Sequence, residues 1–528
     1  MNRIKRQERG LFLFGGALIV ALQIVLYFHS GAIWRDEIHS VVLARTPGWL
    51  GMFHSLQNDS FPGLWVSVLR LWIDAGMGAG DWWTRLLGML ISVALVAALW
   101  VNTRWMGTSA PLLGLALAAY NPAIFYFGSS LRAYGLAVFL IVLFFGVVWR
   151  VAEEPRASWI AAAILLALLC ANSNYQNSYL IFAICSAGAV VCVARGLWLR
   201  AGLILCIGLA AALSLLPYLG VIRAYSAGGL IRQTPVHAGA VWEQFCEAFD
   251  PARWILAPVL LLLFAAVLAL IVVHRSRDRA ALYGGLVITI SGAALYRFAL
   301  SSGLPTFPWH FIPFIGLAAV ALDFALDRFV CGKAPLRQAR LAVAAVLMFA
   351  CAIPLWNWAH LRRTNMDLVA ADVASVVSPR DFILVSPFWN CFSFRYYYKG
   401  SARWSTLPLI PDDQIDLEYD AIKPLMTKLN PLEPAFAKIR ETLRHGGRLW
   451  VVGRMPGPAP GALPPTIAPA PDPVHGWDNV WYMQVWAMQT NYFLRTHAIH
   501  FVVVPEEQGR PVNRLERAEI AMAEGWKE

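Results

Sequence analysis

The chain has 528 residues, of which 58% are hydrophobic and 14% charged, with a mean hydropathy of +0.55 and a formal net charge of +11. A soluble protein of this size would carry about one-quarter charged residues, so the composition excludes a purely soluble enzyme. It points instead to a polytopic membrane protein with a soluble part appended. The positive balance lies largely in loops between apolar runs and reports topology, which removes nucleic acid from the expected partners.

Basic residues Arg3, Lys5, Arg6 and Arg9 precede an apolar run from Leu11 to His29. The run is long, lacks a small-residue cleavage site and is followed by many more, so it is expected to remain as a membrane helix. After it stands Trp34-Arg35-Asp36-Glu37-Ile38-His39-Ser40, and later Asn58-Asp59-Ser60-Phe61-Pro62-Gly63-Leu64-Trp65. Carboxylates this close to a bilayer are costly unless they have partners or work. Pro62–Gly76 is apolar but short and carries Arg70 and Asp74, so it is expected to lie in the interface and not to cross. Further apolar stretches follow at Thr84–Asn102, Ser109–Phe127, Ala133–Val148, Ser158–Ala171, Ser178–Ala194, Ala201–Val221, Trp254–His274, Ala281–Leu300, Trp309–Leu326 and Leu341–Trp358. With the first run they make about eleven spans.

Charge fixes the expected orientation. If Pro62–Gly76 does not cross, the loops with Arg104; Arg150 and Arg156; Arg195 and Arg200; Arg275, Arg277 and Arg279; and Arg328, Lys333, Arg337 and Arg340 all face the cytoplasm. The opposite loops are short of Lys and Arg, as the positive-inside rule requires. Asp36, Glu37, Asp59, Asn121–Tyr134, Asn172–Ser178, Ile222–Arg253, Ser301–Pro308 and everything after Trp358 then lie outside. Of the eight cysteines, Cys170, Cys185, Cys192, Cys206 and Cys351 sit in apolar spans and Cys331 in a cytoplasmic loop. Cys246 and Cys391 are the two that could pair outside, and no C-x-x-C spacing suggests zinc.

After Trp358 the hydrophobic density falls, giving an expected boundary between a membrane domain, 1–358, and a soluble domain, 359–528. Asn365–Val377, Pro431–His445 and Val480–His497 have helical patterns. Asp381–Val385, Arg448–Val452 and Ile499–Val504 have the pattern of strands. The alternation predicts a small α/β domain with a mainly parallel sheet. Met455–Pro473, rich in Pro, Gly and Ala, predicts an extended loop. No Gly-rich phosphate loop or nucleophile elbow is legible in this tail, which is expected to position a substrate or partner.

Three outside clusters are expected to converge: Asp36-Glu37, Asp59, and Asn121-Pro122-Ala123-Ile124-Phe125-Tyr126-Phe127-Gly128-Ser129-Ser130-Leu131-Arg132-Ala133-Tyr134. An arginine at the mouth of two spans can hold a phosphate by bidentate hydrogen bonds. Each residue also has a bland alternative. Asp36 and Glu37 could cap a helix or pair with Arg35, Asp59 could be an N-cap, and Arg132 and Arg297 could snorkel. His310 could belong to an aromatic belt, and Asn174 and Tyr175 could satisfy backbone in a tight turn.

Taken together, these elements resemble the GT-C superfamily of integral-membrane glycosyltransferases. The resemblance is to the branch with protein O-mannosyltransferases, lipid A aminoarabinose transferases and bacterial lipopolysaccharide-core transferases. The branch's Asp-Glu after the first span is matched by Asp36-Glu37. Its Asp-x-His-Pro-Pro-Leu-Tyr is similar to the segment from Asp59, with Phe61 for the His and Gly63 for the second Pro. Its Arg-Leu-Pro-Ser is loosely matched by Arg85-Leu86-Leu87-Gly88. Its Ser-x-Glu-Ala-Arg-x-Tyr is similar to Ser129–Tyr134 without the Glu. Its His-Tyr and Arg-Tyr pairs stand here as Asn174-Tyr175 and His310-Phe311.

The resemblance implies an all-α polytopic GT-C domain with juxtamembrane helices, followed by the α/β domain. It implies transfer of a sugar, with inversion, from a polyprenyl-phosphate donor to an envelope glycolipid, polysaccharide or other acceptor at the periplasmic face of a bacterial inner membrane. Asp36 is the expected base, and Glu37 orients it or binds acceptor hydroxyls. Arg132, with Arg297 and His310, is expected at the phosphate, and Asp59, Tyr134, Asn174 and Tyr175 at the substrates. No cofactor is expected; a lone divalent metal between Asp36 and Asp59 is an alternative left open. A transporter or flippase of lipid-linked saccharide, or a non-catalytic binder of it, is the competing class. The absence of a visible internal repeat weighs against transport.

Overall fold

A computed structural model describes residues 2–228, 236–273, 278–302, 306–330, 333–411, 418–470, 479–504 and 510–527. Arg275, Arg277 and Cys331 lie outside the described residues, as do parts of the Ile222–Arg253, Ser301–Pro308 and Met455–Pro473 segments. The chain forms two units: Met1–Phe28, Leu43–Ile222 and Val236–Ala359 make one, and His29–Val42, Arg223–Pro235 and His360–Glu528 the other. The second therefore takes in not only the tail but also the segment that bears Asp36 and Glu37.

The first unit is helical. Among the described residues, eight helices are long and apolar enough to cross a membrane, and two more, Ala157–Ser173 and Asn177–Val193, are apolar but shorter. Seventeen residues of helix span about 25 Å against a hydrocarbon core of about 30 Å. The expected span at Ser109–Phe127 is not one helix. It breaks into Leu112–Gly114, a π-turn at Leu115–Ala119, and Pro122–Gly128. The cause is local: Pro122 opens the last segment, and Asn121 leaves the helix to cap it, its Oδ1 accepting from Ile124 N–H at 2.9 Å.

Pro62–Gly76 forms the helix Leu64–Trp72, which runs into a π-turn at Ile73–Met77. Its buried face is Trp65, Val66 and Leu69, one stripe of a helix. Arg70 is satisfied by the Thr46 carbonyl at 2.7 Å and by the Trp49 ring, 4.9 Å from its guanidinium.

Arg104, Arg156, Arg195, Arg279 and Arg328 of the basic loops stay exposed, but two basic residues do not. Arg337 and Arg340 lie on the helix Ala334–Ala359 and are buried. Arg340 reaches Asp327 at 2.9 Å, Glu8 at 3.1 Å, Ser109 at 2.6 Å and Asp323 at 3.7 Å, while Arg337 pairs with Glu8. Nearby, Glu153 joins Arg195 at 2.9 Å and Arg279 at 3.0 Å. The contacts Phe145–Phe324 and Trp149–Phe324 place these helix ends together, so one end of the bundle is knotted by charge.

The second unit holds a five-stranded sheet of order β2-β1-β3-β5-β4, with β1 at Phe382–Ser386, β2 at Arg403–Thr406, β3 at Leu449–Gly453, β4 at Ala498–Val504 and β5 at Glu519–Trp526. Two neighbour pairs are parallel (β1 with β2 and β3) and two antiparallel (β5 with β3 and β4). The expected mainly parallel sheet is thus mixed, because β5 enters between β3 and β4. Side chains alternate between two apolar layers. Leu384, Leu449 and Val451 pack with Ile439 and Trp486, and Ile383, Val385 and Val452 with Met366, Val369 and Phe394. Residues 455–470 contain no helix or strand. Cys246 and Cys391 are free thiols.

Arg340 is the guanidinium shared by three buried carboxylates. Arg340→Ala is expected to destabilise the helical unit by about 3–5 kcal/mol, the range for stranding buried charge. A lower melting midpoint of the full-length protein in detergent checks this; an unchanged midpoint would remove the network from the sources of stability.

Candidate active site

At its other end the helical unit gathers polar and aromatic side chains. Trp65 Nε1–H donates to the Leu131 carbonyl at 3.1 Å and pins the loop before Arg132 to the interfacial helix. That loop is pinched by glycines: a Cβ on Gly135 would lie 1.9 Å from the Gly128 carbonyl oxygen, and one on Gly88 would lie 2.3 Å from the Ser129 carbonyl oxygen. Gly88 ends the Arg85-Leu86-Leu87-Gly88 element, so the absent side chain is what lets this helix reach the loop. Arg85, one helical turn earlier, is also buried.

The clamped loop turns Arg132 inward. It is 6% exposed and its Nη2 meets Asp59 Oδ1 at 3.1 Å and Ser60 Oγ at 3.4 Å. Its guanidinium lies 4.6 Å from the Phe61 ring centre, and Phe61 packs edge-on against Tyr134 at 5.2 Å. This is pairing and stacking, not snorkelling. Asp59 does not cap the interfacial helix, whose N-cap is Gly63. Instead its Oδ1 accepts from Ser60 N–H at 2.7 Å as well as from Arg132.

The buried atoms here without a hydrogen-bond partner among the described residues include Asp59 Oδ2 and Tyr175 Oη, with Gln176 Oε1, Asn177 Oδ1 and Ser178 Oγ in the same turn. Buried polar atoms without partners are uncommon and call for a cause. Burial, the Tyr218 phenol and the Asp59 charge together push the Tyr175 phenol above its usual range. Tyr218 lies 6.1 Å from Tyr175, ring to ring, and its hydroxyl accepts from Gly63 N–H at 3.2 Å. Asn174 serves the backbone, its Oδ1 accepting from Gln176 N–H at 2.9 Å to hold the turn.

The structure therefore brings Asp59, Arg132, Tyr134 and Tyr175 together. Arg297 is exposed on the helix Arg279–Ser302. His310 sits in the turn Pro308–Phe311, where its Nδ1 accepts from Phe307 N–H at 3.2 Å among the rings of Phe307 and Trp309.

Asp36 and Glu37 belong to the second unit. They open the helix Arg35–Arg45, where the first turn favours acidic side chains. Their surroundings differ. Glu37 is fully buried; its Oε2 accepts from Trp34 N–H at 3.2 Å, the return arm of a capping box, and its Oε1 lies 3.8 Å from Arg363. The Asp36 side chain is 34% exposed and lies 3.5 Å from Arg35 Nε. So Glu37 is the helix cap and Asp36 the reachable carboxylate.

The segment before them is held by the tail. Arg363 N–H donates to the Ser30 carbonyl at 2.8 Å, Gly31 bridges to Thr364, and Ile33 N–H donates to Tyr397 Oη at 2.8 Å. Glu516, in the strand-edge loop before β5, lies 3.1 Å from Arg35 and has no motif to announce it in the sequence. Among the described residues, no group of three His, Cys, Asp or Glu could hold a metal ion.

The architecture has solved counterparts. ArnT from Cupriavidus metallidurans, solved bound to undecaprenyl phosphate, matches over 96% of this chain and 97% of its own, at 14% identity and a TM-score of 0.52. The oligosaccharyltransferase of Archaeoglobus fulgidus, solved with zinc and sulfate, matches over 84% of this chain and 67% of its own, at 10% identity and a TM-score of 0.52. No family model and no curated protein matches the sequence. The chain has the fold of the GT-C glycosyltransferases.

The buried Asp59–Arg132 pair should behave as a unit. Asp59→Ala and Arg132→Ala are each expected to cost about 3–5 kcal/mol, and the double substitution clearly less than their sum. Melting of the four proteins in detergent checks this, and additive losses would rule out the coupling. Gly135→Ala is expected to displace the Arg132 loop, read as a fall in melting midpoint.

Proposed function

We propose that the chain is a bacterial inner-membrane glycosyltransferase. It takes a sugar from a polyprenyl-phosphate donor and places it on an envelope glycolipid or polysaccharide at the periplasmic face. The observation that carries the reading is the contrast within Asp36-Glu37 on a GT-C fold: one carboxylate is buried as the cap and its neighbour is held at the surface. The undecaprenyl phosphate in the ArnT structure supports a donor of this class. The charged end of the bundle supports a cytoplasmic N-terminus by the positive-inside rule.

In the proposed reaction Asp36 accepts the proton of the acceptor hydroxyl as its oxygen bonds to the anomeric carbon. The bond from that carbon to the phosphate oxygen breaks, with inversion, and polyprenyl phosphate leaves. A sugar hydroxyl is a poor nucleophile, so a base has most to contribute at the attack. Phosphate is already a good leaving group and needs cations for its charge. Arg132 is shared with Asp59, so a second cation is called for, and buried Arg85, one helical turn before Gly88, is the candidate. Asp59 Oδ2 and Tyr175 Oη would supply hydrogen bonds to the donor head group. Arg297 and His310 keep weaker claims on the phosphate. The tail, residues 359–528, would act in acceptor selection as a periplasmic domain.

Asp36→Asn is expected to lower transfer by about 10²–10⁴-fold with the fold intact. The check is mass spectrometry of envelope glycolipids and polysaccharides from cells lacking the gene, complemented by wild type or by the variant. One defined sugar restored by wild type alone supports the reading. Full rescue by Asp36→Asn would transfer the weight to a binding or transport role.

A further inference from the structure

The proposed base does not stand alone with its helix. Arg35 Nε lies 3.5 Å from Asp36 Oδ1 and 3.1 Å from Glu516 Oε1, so one guanidinium edge is divided between two carboxylates. The Trp389 ring, 5.6 Å from the Arg35 guanidinium, limits where that edge can turn. Glu516 is brought in by backbone pairing. Arg362 N–H donates to the Pro511 carbonyl at 2.8 Å, Asn513 N–H to the Arg362 carbonyl at 2.9 Å, and Thr364 Oγ1 to the Glu516 carbonyl at 3.0 Å. Asn365 then fixes Ala518 on both sides, at 2.8 Å each. Residues 510–518 and Ser30–Gly31 are thus tied to the same stretch, 362–365. The Glu516 side chain is 5% exposed, against 34% for Asp36, so it is placed to act on Arg35 and not on a substrate.

We infer that Glu516 is a positioning residue for Asp36, acting through the shared Arg35 guanidinium, so that its charge state sets how much of Arg35 is left to Asp36. The inference rests on the reading of Asp36 as the base. With Glu516 protonated, Arg35 is drawn toward Asp36. With Glu516 ionised, Arg35 is shared, and Asp36 is left freer to take a proton.

The surroundings put this switch in a useful range. Burial, reinforced by Asp36 and Glu37 and opposed by Arg35 and Arg454, pushes the Glu516 carboxyl up to about 7. Arg363 in turn lies 3.8 Å from Glu37. The sign follows. A carboxyl raised in the folded state binds its proton more tightly there than in the unfolded chain. Its contribution to stability is present below the unfolded value and is lost as pH rises through about 7. Transfer should rise over the same interval.

The test uses membrane vesicles that contain the full-length protein with the host's own lipid-linked donors and acceptors. Sugar product is measured by mass spectrometry from about pH 5 to about pH 9. Wild type is expected to gain several-fold in rate through about pH 7, Glu516→Gln to lose that inflection while keeping measurable activity, and Glu516→Asp to keep it at a shifted pH. The melting midpoint of wild type in detergent should fall over the same interval, and that of Glu516→Gln should not. A wild-type inflection in Glu516→Gln, with Asp36→Asn inactive, overturns this inference alone. Full activity of Asp36→Asn overturns the base assignment and this inference with it. If Glu516→Gln does not accumulate, Glu516→Asp carries the test, and an unmoved inflection overturns the inference.

Discussion

A guanidinium or carboxylate taken out of water alone costs several kcal/mol, and both ends of the helical unit are organised by that constraint. At one end Arg340 lies among Asp327, Glu8 and Asp323, tying the first helix to the helices on either side of residues 330–334. At the other, Asp59 and Arg132 join two segments 73 residues apart. Buried polar atoms without hydrogen-bond partners remain at both ends among the described residues: Asp323 Oδ1, Arg337 Nη1 and Arg340 Nε at the first, Asp59 Oδ2 and the nearby Tyr175 Oη at the second.

The departures from the family pattern acquire physical meaning at this second knot. Phe61, standing where the resemblance has a histidine, offers the Arg132 guanidinium a ring face in place of a competing cation. Gly63, standing for a second proline, keeps an N–H, and that N–H is the donor to Tyr218. Asn174, standing for a histidine, closes a turn and leaves the following Tyr175 facing inward. These exchanges form a consistent local set: a neutral ion pair stacked on aromatic rings.

Much of this was legible in the chain. Long apolar runs and asymmetric Arg placement define the bundle, and Phe382–Ser386 and Leu449–Gly453 are buried along their whole length because both sheet faces are covered. β2 and β5 were not legible. β2 is four residues at a sheet edge beginning with Arg403, and β5 is Ala- and Glu-rich, a composition with stronger helical than strand preference. In the candidate site, the contrast between Asp36 and Glu37 depends on which carboxylate turns back to Trp34, and adjacent acidic residues look alike in sequence. Glu516 is 480 positions from Asp36, and the pairing of 510–518 and of Ser30 with 362–365 brings them together.

The membership of His29–Val42 in the second unit also bears on how relatives of this chain could be recombined. A cut after Ala359 looks like the natural point to exchange one soluble domain for another. Yet such a chimera would leave Ser30, Gly31 and Ile33 facing a foreign backbone, with Arg35 deprived of its Glu516. The transplantable module is therefore discontinuous: a donor tail has to arrive with its own first loop.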